Sequence, residues 1–106
     1  MPKYLIISSY TAEGAKGLLK EGGSARRAAV EKLIESAGGR LEAFYFAFGE
    51  NDVYSLVDLP DHASVAAATL AVTAGGGGRP KTIVLLTPEE VDRAAKKTVQ
   101  FRPPGQ

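Results

Sequence analysis

Three side chains in this sequence are of types that move protons: Asp52, His62 and Tyr10. Asp52 ends a predicted turn, where its carboxylate has two interpretations. It is either a base or ligand anchor at the mouth of a pocket, or an acceptor of the backbone N–H bonds that hold the turn. His62 is the single histidine and begins a predicted helix, so it is either a general base or a surface residue. These three residues are the catalytic candidates, although they form no recognised catalytic signature.

Four residues on the predicted strands are candidates for binding a ligand: Tyr10, Tyr45, Tyr54 and Asp58. Each places a polar tip among apolar neighbours, which is the pattern of a small-molecule pocket. Tyrosines are equally ordinary at an interface between subunits, because one end of the side chain is apolar and the other polar. Both interpretations stay open for these residues.

Composition argues against several other kinds of site. The chain has no cysteine and one histidine, so we expect no zinc site, no other metal and no cofactor. Its 13 basic and 12 acidic residues give a net charge of +1, without the basic footprint of a nucleic-acid-binding domain. The segment 75–78 is four consecutive glycines that run from a helix to a strand, the reverse of a phosphate-binding loop, so we expect a flexible linker there.

The apolar run at residues 4–7 is too short for a signal peptide or a membrane span. We therefore expect no membrane partner and a cytoplasmic location.

The elements that must position these residues follow from hydrophobic periodicity and capping signals. The pattern predicts the order β-α-β-β-α-β followed by a C-terminal helix. Proposed helix N-caps are Thr11, Ser24, Asp61 and Thr87, the last followed by proline and two glutamates. We expect a single domain at residues 1–98 and a tail at 99–106. Strands are predicted at 3–10, 40–48, 53–59 and 81–86, a short helix or helical turn at 15–21, and helices at 25–37, 62–73 and 88–97.

Two of these elements carry more specific expectations. In the second strand, simple alternation places Leu41, Ala43 and Tyr45 on one face, and Phe44, Phe46 and Phe48 on the other face with Glu42. The predicted helix at 62–73 is apolar almost all round, so we expect more than one neighbour to bury it.

The predicted order is typical of the ferredoxin-like fold, an α+β fold in which helices cover one face of a four-stranded antiparallel sheet. Strands at 3–10, 40–48 and 81–86 are apolar on both faces, however, and a bare apolar face is larger than monomers usually expose. We expect two copies to pack sheet against sheet as a dimeric α/β barrel, with homodimers or higher homo-oligomers as the result. The alternative is that the C-terminal helix folds across its own sheet.

Several short motifs follow one another along the chain: Tyr10-Thr11 with Gly14, Gly38-Gly39, Phe44-Tyr45, Gly49-Glu50-Asn51-Asp52 and Pro60-Asp61. Taken in this order, they resemble the motifs of the GYD domain family of small bacterial proteins. The resemblance extends over roughly residues 3–88 and implies a ferredoxin-like fold, with no settled activity. Asn51 stands where the family motif Gly-x-Tyr-Asp has its tyrosine, and Asp58 stands where the family usually has glutamate.

Two functions are compatible with these residues. The first is an oligomeric module that binds a small apolar or aromatic molecule in a pocket between packed sheets. The alternative is a cofactor-independent enzyme, such as the monooxygenases or isomerases built on dimeric α/β barrels. The alternative requires Asp52, His62 and Tyr10 to converge on one cavity, because all three would handle protons of the same substrate.

Overall fold

The computed structural model describes residues 1–47 and 49–106. Its strands and helices follow one another in the predicted order. One sheet of four antiparallel strands has the order β2-β3-β1-β4, which confirms the ferredoxin-like α+β fold. Phe48, the last residue of the predicted second strand, lies outside the described residues. The elements are β1 (Lys3–Tyr10), α1 (Ala12–Glu21), α2 (Gly23–Ser36), β2 (Arg40–Phe46), β3 (Val53–Asp58), α3 (His62–Ala74), β4 (Gly78–Leu85) and α4 (Pro88–Lys96).

Helices α2 and α3 lie over one face of the sheet, where the hydrophobic core forms. In the central strand β1, Tyr4 and Ile6 point into this core, whereas Leu5 and Ile7 belong to the opposite face. We call that opposite face the open face, because no helix of the described residues packs across it. The core residues are Tyr4, Ile6, Ile34, Leu41, Phe44, Val53, Val57, Leu59, Val65 and Ala68.

A β-bulge in β2 overturns the predicted alternation of that strand. The register shifts between Leu41 and Ala43, so Leu41 is paired with Val57 and Phe44 with Ser55. Leu41 and Phe44 therefore share the helix-covered face, where they are 6% and 9% exposed. The extra residue of a bulge breaks the period of two. Simple alternation therefore assigned Leu41 to the same face as Ala43, whereas the structure places Leu41 on the opposite face, with Phe44.

Capping explains where the helices begin. Thr11 caps α1 as predicted, with its Oγ1 accepting a hydrogen bond from the Gly14 N–H at 3.1 Å, but the helix is longer than expected. Gly22 separates α1 from α2 with a φ of +86°, so Gly22 and not Ser24 precedes the second helix. The predicted capping box at Thr87 is confirmed.

Strand β4 begins at Gly78, three residues before the predicted start, because the segment Gly78–Pro80 pairs with Ser8–Tyr10. Pro80 is tolerated there because β4 is an edge strand and needs no N–H donor on its outer side.

Helix α3 is only partly covered within one chain. Val65 and Ala68 are buried against the sheet, whereas Leu70 is 68% exposed and Ala66 and Ala67 are exposed as well. The expectation that several neighbours bury this helix is therefore wrong for the single chain. None of the helices in the described part of the chain is both long and apolar enough to cross a membrane.

Helix α4 does not fold across its own sheet. Of its nine residues only Glu90 is half-buried, and the others are exposed. The chain is consequently elongated, with a radius of gyration of 16.9 Å, whereas a compact chain of this length has about 13 Å. Residues 99–106 form no helix or strand. The open face of the sheet therefore has no cover from α4 within one chain.

Candidate functional site

Asp52 joins the turn between β2 and β3 to the end of β1. Its carboxylate Oδ2 accepts a hydrogen bond from the main-chain N–H of Tyr10 at 2.8 Å. The Asp52 N–H in turn donates to the Ser8 carbonyl at 3.0 Å, and the Ala47 N–H donates to the Asp52 carbonyl at 2.9 Å. This arrangement favours the structural interpretation of Asp52, with the difference that its carboxylate holds a neighbouring strand, whereas its main-chain carbonyl closes the turn.

The segment after Tyr10 fastens α1 to the glycine-rich turn that precedes β4. Thr11 donates from its N–H to the Gly77 carbonyl at 3.1 Å and from its hydroxyl to the Gly76 carbonyl at 2.7 Å. A Cβ atom on Gly14 would lie 1.8 Å from the Gly77 oxygen, so only glycine permits this approach. The glycine run is thus a packed turn in this structure, not the free linker expected from the sequence.

These contacts shape one side of a cavity of about 460 Å³ between the sheet and helices α1, α2 and α3. The floor is the helix-covered face of the sheet, and the helices form the walls. Most of the lining is apolar, which together with the volume is typical of a small-molecule pocket. Apolar lining residues include Ile6, Phe44, Val53, Val30, Leu33 and Val72.

Two serines bring hydroxyls to the floor of this cavity. Ser55 is only 5% exposed and lines the cavity, and its hydroxyl makes no side-chain hydrogen bond within the described part of the chain. Ser8 is half-buried and lines the same floor from β1. Because Ser8 is paired with Val53, two residues before Ser55, the serines are diagonal neighbours on one face.

A cluster of Tyr10, Glu21 and Arg26 also lines the cavity. Arg26 Nε lies 2.8 Å from Glu21 Oε1, but its N–H bond is not directed at that oxygen, so the contact is an ion pair without a hydrogen bond. Burial is the main cause that raises the pKa of Tyr10, and the carboxylates of Glu21 and Asp52 add to it while Arg26 opposes it. Tyr10 therefore keeps its phenol proton at neutral pH and is a hydrogen-bond donor.

The other three ligand-binding candidates do not reach this cavity. Tyr45 and Tyr54 face each other across β2 and β3 on the open face, where Tyr45 is 71% exposed. Asp58 lies on the same open face and accepts hydrogen bonds from Lys3 Nζ at 2.8 Å and Arg40 Nη2 at 3.3 Å. The structure thus separates Tyr10 from the other three by the thickness of the sheet.

Asp58 is the centre of an ion-pair cluster. The hydrogen bond from Lys3 is the largest cause that lowers the pKa of Asp58; burial opposes it, and Arg40 contributes in the same direction as Lys3. Lys3 also contacts Glu42 at 2.6 Å, and both carboxylates raise the pKa of Lys3. These contacts make Asp58 a structural charge within a single chain, so binding a ligand would require it to exchange partners.

His62 lies at the other end of the sheet. Its Nδ1 is 2.8 Å from the hydroxyl of Tyr4, a core residue that is 1% exposed. Tyr4 and Tyr10 are six residues apart on β1, which corresponds to about 20 Å along a strand. The structure therefore brings Asp52 and Tyr10 together and leaves His62 far from both. Within the described residues, no group of three or more His, Cys, Asp or Glu residues could hold a metal ion.

Of the residues that line this cavity, sequence reasoning proposed only Tyr10. Ser8 and Ser55 are polar residues in otherwise apolar strands, but their position on one face follows only from the pairing of β1 with β3. No local pattern indicates Arg26, because its approach to Tyr10 depends on how α1 turns into α2.

The sequence model of the GYD domain matches residues 4–95, from the start of β1 into α4. Comparisons with curated proteins and with solved structures found no match. The family match covers most of the chain and extends beyond the residues that carry the motif resemblance. The chain therefore belongs to the GYD domain family.

Proposed function

We propose that the protein is a small-molecule-binding module and that its ligand occupies the cavity between the sheet and helices α1 to α3. The observation that carries this proposal is the cavity itself, about 460 Å³ with mainly apolar walls. Ligand pockets in proteins are concave, largely apolar and supplied with a few polar groups, as this one is. The ligand is a small apolar or aromatic molecule, since the walls offer mainly aliphatic and aromatic side chains.

Binding is favoured over catalysis by the positions of the proton-moving residues. Asp52 is engaged by the Tyr10 main chain, and His62 is engaged by Tyr4 at the far end of β1. A proton-transfer enzyme would need a base at the substrate, within hydrogen-bond reach of the proton that it removes. The one carboxylate that lines the cavity, Glu21, is paired with Arg26.

Thermal-shift screening of the purified chain against small neutral aromatic compounds tests this proposal. A ligand at a hundred times its Kd should raise the free energy of unfolding by about 2.7 kcal/mol. Ala71→Trp should abolish that stabilisation, because Ala71 lines the cavity and a bulky ring there would fill it. Ala67→Trp is the matched control, since Ala67 is exposed on the same helix and does not line the cavity. Equal binding by both variants would contradict the proposal.

The second part of the proposal is that two copies pack through their open faces. This face carries apolar side chains from all four strands, and α4 does not cover it within one chain. Burying such a face against a second copy removes apolar surface from water. The pocket between packed sheets expected from the sequence would form only in this dimer, with Tyr45 and Tyr54 in its lining.

Light scattering at micromolar concentration tests the dimer. We expect the mass of two chains for the wild type and of one chain for Tyr45→Asp, which places a charge on the open face at its β2 edge. Leu19→Asp is the control, because Leu19 is 88% exposed on α1, away from the sheet. A wild-type protein that is monomeric at this concentration would exclude the dimer while leaving the cavity proposal intact.

A further inference from the structure

The floor of the cavity contains a polar group that the chain itself leaves without a partner. Ser55 as a whole is only 5% exposed and lines the cavity, and its hydroxyl makes no side-chain hydrogen bond within the described residues. Its oxygen is not among the fully buried side-chain atoms that lack a partner, so the hydroxyl is open to the cavity. A hydroxyl in contact with a cavity takes its partner from the contents of the cavity, either water or a ligand.

Ser8 lies next to Ser55 on the same face. The two are diagonal neighbours across β1 and β3, so their Cβ atoms are about 7 Å apart or slightly less. At this separation a single polar group of a ligand, or two groups on one ring, can contact both hydroxyls. Ile6 and Phe44 on the same floor are apolar, whereas Tyr10, two residues after Ser8 on β1, adds a phenol at one end of it.

We propose that Ser55 and Ser8 recognise a hydroxyl or carbonyl oxygen, and that the ligand is a neutral, mainly apolar molecule of the phenol or ketone class. This inference rests on the proposed function, because it names the ligand class of the same cavity. A serine hydroxyl both donates and accepts, and therefore suits either kind of oxygen.

The ligand is neutral for a separate reason. Within the described residues, the charged side chains that line the cavity are Arg26 and Glu21, and their ion pair leaves the lining without net charge. The Nε of Arg26 has no hydrogen-bond partner in that part of the chain and is a further donor for a ligand oxygen. The serine hydroxyls cannot neutralise an ionised group in an apolar cavity, where an unpaired charge is strongly disfavoured.

A matched pair of probes, 1-naphthol and naphthalene, separates this inference from the proposed function. The two share an aromatic frame and differ in one hydroxyl. We expect the full-length wild-type chain to bind both probes. It should bind 1-naphthol roughly three- to ten-fold more tightly, because one hydrogen bond increases the affinity by about that factor. Fluorescence titration of each probe measures both constants.

Ser55→Ala should remove the preference for 1-naphthol and leave the affinity for naphthalene unchanged. It should not lower the thermal midpoint of the free protein, because the removed hydroxyl faces the cavity and makes no side-chain hydrogen bond within the described residues. Ser8→Ala should reduce the same preference, which keeps the test valid if one variant folds poorly. Ser9→Ala is the control, as Ser9 lies on the opposite face of β1 and contacts Asn51.

Equal affinity of the wild type for the two probes would overturn the inference and leave the cavity proposal standing. A preference that survives in both Ser55→Ala and Ser8→Ala would overturn it as well. If neither probe binds the wild-type protein at concentrations up to their solubility, the proposed function and the inference fail together.

Discussion

The carboxylate of Asp52 accepts a hydrogen bond from the main-chain N–H of Tyr10 at 2.8 Å, which ties the turn between β2 and β3 to the end of β1. Tyr10 lines the cavity from this same position. The aspartate that closes the family motif therefore acts on the cavity indirectly, by fixing the strand end from which Tyr10 projects. This relationship distinguishes a structural aspartate from a catalytic one, and it can be tested.

Replacing Asp52 with alanine should lower the free energy of unfolding by about 1.5–3 kcal/mol, because a hydrogen bond to a charged acceptor is lost. Chemical denaturation monitored by circular dichroism measures the loss. Asp92→Ala on the exposed helix α4 should change stability by less than about 0.5 kcal/mol. An Asp52→Ala protein with unchanged stability would show that the carboxylate does not hold the turn.

Two glycines in α1 should respond in opposite directions to the same substitution. Gly14→Ala should destabilise the protein by about 1–3 kcal/mol, since the new Cβ would lie 1.8 Å from the Gly77 oxygen and must displace it. Gly17→Ala should stabilise by up to about 1 kcal/mol, because nothing lies within 4 Å of its Cβ position and alanine favours the helix. Thermal unfolding of both variants measures the difference; equal effects would contradict the close packing at Gly14.

The ion pairs of Asp58 should make stability depend on pH in acid. Lys3 and Arg40 hold the pKa of Asp58 below its ordinary value of 3.8. The stabilisation is therefore present above that value and is lost as the pH falls through the lower pKa of the folded state. Lys3 has the opposite sign, since its pKa is raised above 10.5 and its contribution is lost only as the pH rises past that raised value.

Asp58→Asn tests the acidic limb. The difference in urea midpoint between wild type and variant should be largest near neutral pH. It should shrink as the pH falls below about 4 and through the lowered pKa of Asp58, because the carboxylate is then protonated and is neutral like the asparagine. The same measurement on Asp92→Asn supplies the control. A difference that stays constant across this range would mean that the charge of Asp58 does not stabilise the fold.

The contact between Tyr4 and His62 should support the fold without affecting the cavity. Tyr4→Phe removes a hydrogen bond of 2.8 Å and should cost about 0.5–1.5 kcal/mol of stability. Binding of aromatic probes should be unchanged, because neither residue lines the cavity between the sheet and helices α1 to α3. Loss of probe binding in Tyr4→Phe, comparable to that expected for Ala71→Trp, would place His62 and Tyr4 in the functional site after all.

Much of the fold could be predicted because its signals are local. The capping box at Thr87 and the N-caps at Thr11 and Asp61 each depend on residues within one helical turn, and all three are present. The candidate site was predicted less well. Tyr10 does line a cavity, but that cavity lies under the helices, whereas Tyr45, Tyr54 and Asp58 lie on the other side of the sheet.

By itself, the sequence determined the order of strands and helices, the caps at Thr11, Asp61 and Thr87, and the ferredoxin-like topology, since each follows from patterns a few residues long. Only the tertiary structure decided that Leu41 lies on the core face, because a bulge resets the alternation. It also brought Tyr10 to Asp52, 42 residues away, and Tyr4 to His62, 58 residues away. Contacts at such separations depend on strand register and on where the helices rest on the sheet, and no local period encodes either.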